Sequence, residues 1–190
     1  MNNPFYIVIH HSATTDNKTL KNFDAIRRYH MSYAIDGVIV EADEFERRQS
    51  LGDGGYFKKP WKDIGYHYIA EYANGNPIIT EGRSEDTDGA HEYRKMPDMN
   101  GHLVSMNKQS ISICIVGNFD KEEPGDDILN VVAEKIADIT KKYSIRIYRV
   151  IGHNDITGVT KSCPGKNVNL HKLRKKVIKV LVDRLVAKGG

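Results

Sequence analysis

Apolar positions recur along this chain with two periods, and the switches between them mark out its elements. Tyr6-Ile7-Val8-Ile9-His10-His11 is a short apolar run that ends in two histidines and is followed by the turn-rich Ser12 to Asn17, so it reads as a buried strand. From Thr19 to about Met31 the residues Leu20, Phe23, Ile26 and Tyr29 recur every third position. Lys21, Arg27 and Arg28 fall on the wet side, which makes this one helical face. Tyr66 to Tyr72 and Ile78 to Arg83 are strand patterns joined by Ala73-Asn74-Gly75-Asn76-Pro77, the signature of a hairpin. Alternation there groups Tyr66 with Tyr68 and Ala70, and His67 with Ile69 and Glu71, so His67 reads as a buried structural histidine. Ser110 to Phe119 is the most apolar strand and is expected centrally in a sheet. Asp126 to Tyr143 is an amphipathic helix with Ile128, Val131, Val132, Ile136 and Ile139 inward and two aspartates near its positive end. Arg146 to Ile151 reads as a further strand. Asn169 onward reads as a final helix with Leu170, Leu173, Val177, Val180 and Leu181 inward and a solvated lysine face.

Two stretches have weaker patterning. Between Tyr33 and Pro60, Gly37 to Val40 suits a short strand, Glu41 to Ser50 a charged helix and Gly52 to Gly55 a turn, which together read as a surface excursion. Ser84 to Lys108 reads as a polar loop. No repeat, low-complexity tract or linker divides the chain, so residues 1–190 are expected to form one domain with an inserted surface segment at about 33–60. The order β-α-β-β-β-α-β-α implies an α/β fold with a mixed central sheet flanked by helices.

Composition narrows the function classes. A net charge of +3 is too mild to argue for nucleic acid, though it suits loose attraction to an anionic polymer such as a cell wall. No apolar run is long enough to span a bilayer, so no membrane partner is expected. Met1-Asn2-Asn3-Pro4-Phe5 has no basic region, apolar stretch or cleavage site, so synthesis in the cytoplasm without a signal peptide is expected. Cys114 lies in an apolar run and reads as a core residue, which leaves Cys163 as a reduced thiol open to metal.

The chemistry gathers in Gly152 to Gly165. This segment holds His153, Lys161 and Cys163 in irregular chain, with Gly158, Pro164 and Gly165 supplying turns that bring positions ten apart back together. Imidazole and thiolate are both good zinc ligands. A third ligand is available from the end of the first strand. His10 and His11 face opposite ways there, and alternation alone leaves the choice between them open. Three protein ligands leave zinc a fourth position for water, which implies catalysis.

Several motifs carry a resemblance. They are His10-His11-Ser12-Ala13-Thr14, Trp61-Lys62-Asp63-Ile64-Gly65-Tyr66-His67-Tyr68, Gly89-Ala90-His91, Ser110-Ile111-Ser112-Ile113 with Val116-Gly117-Asn118-Phe119, Gly152-His153-Asn154-Asp155-Ile156, and Lys161-Ser162-Cys163-Pro164-Gly165. In this order, from about Tyr6 to Gly165, the set resembles the zinc-dependent type 2 N-acetylmuramoyl-L-alanine amidases. That family includes amidase-type phage lysozymes and is related to peptidoglycan recognition proteins. Tyr33 to Pro60 is longer than the family usually has there and takes nothing from it.

The resemblance implies that His10, rather than His11, binds Zn2+ with His153 and Cys163, and that Tyr66 and Lys161 are catalytic. It further implies a substrate contact for His91. A metal-bound imidazole needs an orienting partner, which Asp155 or a backbone carbonyl can supply to His153, although Asn154-Asp155 equally suits a turn. His30, His102 and His171 read as ordinary exposed or helix-end residues. The implied activity is hydrolysis of the amide between N-acetylmuramic acid and L-alanine in peptidoglycan by a monomer, in the manner of an endolysin acting on the wall. The alternatives are a non-hydrolytic muropeptide-binding module and a cytosolic amidase recycling anhydro-muropeptides.

Overall fold

The computed structural model describes residues 4–16 and 22–189. Strand β1 (Tyr6–His11) is buried along its whole length, the apolar Tyr6 to Ile9 and the two histidines alike. Helix α1 (Phe23–His30) begins where the buried Glu71 carboxylate accepts the backbone N–H groups of Asn22 and Phe23. Its expected earlier start at Thr19 to Lys21 lies outside the described residues.

The excursion folds into its own layer of β2 (Tyr33–Ile35), β3 (Val38–Val40), α2 (Ala42–Ser50) and β4 (Phe57–Lys58), with strand order β3-β2-β4. Phe45, 1% exposed, fills it against Tyr33 and Phe57. The buried Lys58 ammonium donates to the carbonyls of His30 and Ser32, which fastens this layer to the end of α1.

The expected hairpin is β5 (Tyr68–Ala73) and β6 (Asn76–Glu81). The presumed polar loop contains a second small hairpin, β7 (Lys95–Pro97) and β8 (Leu103–Ser105), and one turn of helix, α3 (Met106–Gln109). Then follow β9 (Ser110–Ile115), α4 (Asp126–Tyr143), β10 (Val150–Gly152) and α5 (Leu170–Gly189). Only the end of the expected strand at 146–151 is extended, because Ile147–Arg149 form a 3-10 turn first.

The main sheet has the order β10-β1-β9-β5-β6. Its strands β10, β1, β9 and β5 run parallel and β6 returns antiparallel. This is the mixed sheet expected, in one α/β domain, with β9 in the middle. One face carries α4 and α5 over Ile7, Ile9, Ile111, Ile113, Ile115, Val132, Ile136 and Leu173. The other face carries Tyr6 and Val8 with Met106, and Ile69 and Cys114 with Ile64 and Val116. Strand β9 alternates strictly: its isoleucines face the helices, and Ser110, Ser112 and Cys114 face the opposite layer. Register sets His10 beside Cys114, while Ile9 pairs with Gly152 immediately before His153. No helix among the described residues is long and apolar enough to cross a membrane.

Candidate active site

The alternation along β1 separates the two histidines. His10 shares the face of Tyr6 and Val8, where it meets His153 at a ring-centroid distance of 4.5 Å. His11 turns toward Phe119, and its Nδ1 accepts the Phe119 backbone N–H at 3.2 Å. The segment after β10 folds back so that Asn154 N–H donates to the Cys163 carbonyl at 2.7 Å. Asp120 pins the returning loop by accepting from the Ser162 hydroxyl at 2.6 Å and from Lys166 N–H at 3.1 Å. Gly165 completes it at φ +104°, where a Cβ would lie 2.6 Å from the Phe119 carbonyl carbon.

These constraints bring one donor atom each from His10, His153 and Cys163 within 4.8 Å of one another. Cys163 Sγ lies 3.6 Å from His10 Nδ1. Zinc bonds of about 2.05 Å to nitrogen and 2.3 Å to sulfur at a tetrahedral angle put the two donors about 3.6 Å apart, so the spacing fits that ion. The donor chemistry fits as well. Burial, with the neighbouring His91 and His153, holds His10 well below the usual imidazole range, leaving a neutral ring. Burial pushes the Cys163 thiol up to about 11 against the opposing pull of the His11 backbone N–H and Lys161. A cation placed between them would favour the thiolate.

The outward nitrogens of both histidines are engaged. His153 Nε2 stands 2.7 Å from the Glu92 carboxylate. Burial raises the Glu92 pKa, but the Arg94 backbone N–H, His153 and the Arg94 guanidinium outweigh it and hold the carboxyl below its ordinary value. Of the two readings of Asp155, orienter of His153 or turn residue, the structure shows the turn: Asp155 accepts the Gly152 N–H at 2.8 Å, and Glu92 rather than Asp155 or a backbone carbonyl stands against His153. His10 Nε2 lies 3.1 Å from His91 Nδ1, and His91 Nε2 lies 3.1 Å from Ser110 Oγ. His91, expected to touch substrate, therefore stands behind His10 with both ring nitrogens engaged by the protein. Asn107 Oδ1 accepts the N–H groups of both His91 and Glu92 at 2.8 Å, which fixes these two supporting residues together.

A cavity of about 410 Å³ opens over the three donors, with Tyr66, Lys161 and Asp120 on its wall. Tyr66 does not share the face of Tyr68 and Ala70 as alternation suggested. Strand β5 starts only at Tyr68, and Tyr66 packs with Ile64, Ile69 and Cys114 on the site side. Its ring lies 5.1 Å from His10, and it packs against the cluster that holds Cys114. Burial, with the nearby thiols of Cys114 and Cys163, raises the phenol well above its ordinary value, so it keeps its proton. His67 is buried as expected, and its Nδ1 accepts the Ser112 N–H at 3.1 Å. His30 ends α1, one of the two places expected for it, and is buried there. Its Nδ1 accepts the Gly65 N–H at 3.0 Å, and its ring packs at a tilt against Trp61 and Tyr66, holding the segment that carries Tyr66.

A family model described as N-acetylmuramoyl-L-alanine amidase matches residues 1–166. The chain belongs to this amidase family. Its similarity extends to peptidoglycan-recognition protein SD of Drosophila melanogaster, 30% identical over 122 residues, covering 64% of this chain and 57% of that relative. The chain thus spans about half the length of the curated SD proteins it matches. The amidase fold also matches N-acetylmuramoyl-L-alanine amidase LysC from Clostridium intestinale at TM-score 0.56 and 20% identity, over 93% of this chain and 87% of that one. Peptidoglycan recognition protein LE in complex with tracheal cytotoxin matches at TM-score 0.58 and 24% identity, over 92% and 81%.

Proposed function

We propose that this amidase-family chain is a zinc-dependent hydrolase that cuts the amide between N-acetylmuramic acid and L-alanine in peptidoglycan, with the cell wall as its site of action. The observation that carries the reading is the 3.6 Å separation of His10 Nδ1 and Cys163 Sγ beside His153, under a cavity walled by Tyr66 and Lys161. Bound zinc supplies a water acidified toward neutrality and polarises the scissile carbonyl. The chain's own groups do the rest. Lys161, on the cavity wall, offers a positive charge to the carbonyl oxygen as it becomes anionic. Tyr66, held in its neutral form, donates a hydrogen bond to that oxygen or passes a proton toward the departing amine. Glu92 and His91 keep the two imidazoles aimed inward.

The similarity to a recognition protein favours one competing reading, a module that binds muropeptides without cutting them. Turnover separates the two. Zinc-loaded protein is incubated with purified sacculi, and the soluble products are read by mass spectrometry. Release of peptides headed by L-alanine, abolished by a chelator and restored by added zinc, and absent in Cys163→Ala with or without zinc, supports the hydrolase. Tight muropeptide binding with no released peptide favours the binder. Soluble anhydro-muropeptides as a parallel substrate test the remaining case: cleavage of these but not of sacculi would mark a recycling amidase.

A further inference from the structure

We propose that Ser110 is a positioning residue for the metal centre, setting through His91 which nitrogen of His10 carries the ring hydrogen and so leaving the nitrogen that faces the site bare. The consequence for zinc rests on the function proposed above; the proton arrangement does not. The argument begins at a backbone carbonyl. Ser110 Oγ lies 2.5 Å from the Met106 carbonyl oxygen, and a carbonyl only accepts, so the hydroxyl proton is on that line. The same Oγ lies 3.1 Å from His91 Nε2. Having given its one proton to Met106, the hydroxyl accepts there, and His91 Nε2 carries the hydrogen.

A neutral imidazole has a single N–H, so His91 Nδ1 is a bare acceptor. It stands 3.1 Å from His10 Nε2, which must then be the protonated nitrogen of that ring. His10 Nδ1 is left with a free lone pair. That nitrogen is the one 3.6 Å from Cys163 Sγ. One carbonyl on α3 thus dictates the direction of three consecutive hydrogen bonds and the tautomer of a ligand. Strand register keeps these groups in place, because Ser110 pairs with Tyr6 at the start of the β9–β1 ladder and His10 with Cys114 one pair before its end. His91 bridges that length. Its backbone is held by Asn107, one residue beyond Met106.

Space-filling by Ser110 would predict none of this, and the two cases differ in an observable. Long-range proton–nitrogen NMR of the full-length metal-free protein at about pH 8, where an ordinary imidazole is neutral, reports which ring nitrogen of each histidine carries hydrogen. The expected spectrum shows the Nε2–H form for both His10 and His91. In Ser110→Ala the bias on His91 is lost and both forms appear, with zinc affinity, read by competition with a chromophoric chelator, down about 10- to 100-fold. Ser110→Thr keeps the hydroxyl and restores both readouts. An Nδ1–H form on either histidine in the wild-type protein overturns the proposal, as does wild-type zinc affinity in Ser110→Ala. The wild-type spectrum decides by itself should the alanine variant not fold. It is recorded without metal, so failure of the zinc reading shows separately as absence of zinc binding.

Discussion

Replacing Glu92 with alanine is the perturbation whose size the structure defines best. The side chain is 3% exposed and stands 2.7 Å from His153 Nε2, so truncation strands a buried N–H on a ligand. A hydrogen bond to a charged group contributes about 1.5 to 3 kcal/mol, and loss of such an outer partner weakens metal binding about 10- to 100-fold, which is about 1.4 to 2.8 kcal/mol. Glu92 also accepts the Arg94 N–H at 2.7 Å and pairs with the Arg94 guanidinium at 3.0 Å. Arg94 is about one-third exposed, so that ion pair adds no more than about 1 kcal/mol to stability. Glu92→Ala should therefore bind zinc 10- to 100-fold more weakly while the metal-free protein melts only modestly lower. Glu92→Gln keeps an acceptor toward His153 and should lose about tenfold or less. The assay is zinc competition against a chromophoric chelator, paired with thermal melts of metal-free protein. Wild-type zinc affinity in Glu92→Ala would refute the claim that Glu92 holds a ligand in place.

Other expectations concern pH, backbone and turnover. Burial, then the nearby charges of Lys58 and Arg83, lowers His30 to about 4, below its unfolded value near 6.5. The unfolded chain therefore takes up the proton first, and stability present above pH 6.5 falls by roughly 3 kcal/mol as pH drops to about 4. His30→Asn, which retains an acceptor for Gly65 N–H, should flatten that part of the denaturant-midpoint profile; an unchanged profile would assign the loss to other groups. Gly165→Ala meets backbone at 2.6 Å at φ +104°, whereas Gly75→Ala at φ +75° meets nothing within 4 Å. The first should cost about 2 to 4 kcal/mol in chemical denaturation and the second about 1, and equal costs would contradict the tight fit beside Phe119. Lys161→Ala should lower turnover on sacculi by about 10²-fold with zinc affinity unchanged, and a parallel loss of zinc would place the lysine in the metal site instead.

The elements with strong period were legible before any coordinates. β1, the hairpin and α4 follow from apolar runs and spacing, because burying those faces fixes register with no help from elsewhere. The site was legible in part. His153 and Cys163 announce themselves by residue type beside turn residues, but choosing His10 over His11 requires knowing which face of the sheet α4 and α5 cover. Alternation misplaces Tyr66 because the strand starts only at Tyr68, two residues later. Glu92 and Asn107 sit in a stretch without period, and their roles depend on a hairpin whose short strands leave little trace in sequence. The sequence does carry one trace of this layer. The alternation Ser110, Ser112, Cys114 against three isoleucines marks a central strand with one polar face, and those three positions meet His91, His67 and Tyr66. The layer at 33–60 hid its core for a related reason, since Phe45 is a lone aromatic on a charged helix.

The central claim is that His10, His153 and Cys163 hold a single zinc with one position left for water. X-ray absorption on the zinc-loaded protein tests it most directly. The account predicts one zinc per chain with one sulfur neighbour at about 2.3 Å and three nitrogen or oxygen neighbours at about 2.0 to 2.1 Å, the sulfur vanishing in Cys163→Ser. A zinc shell without sulfur, a shell with a second sulfur, or no stoichiometric zinc at all would contradict it.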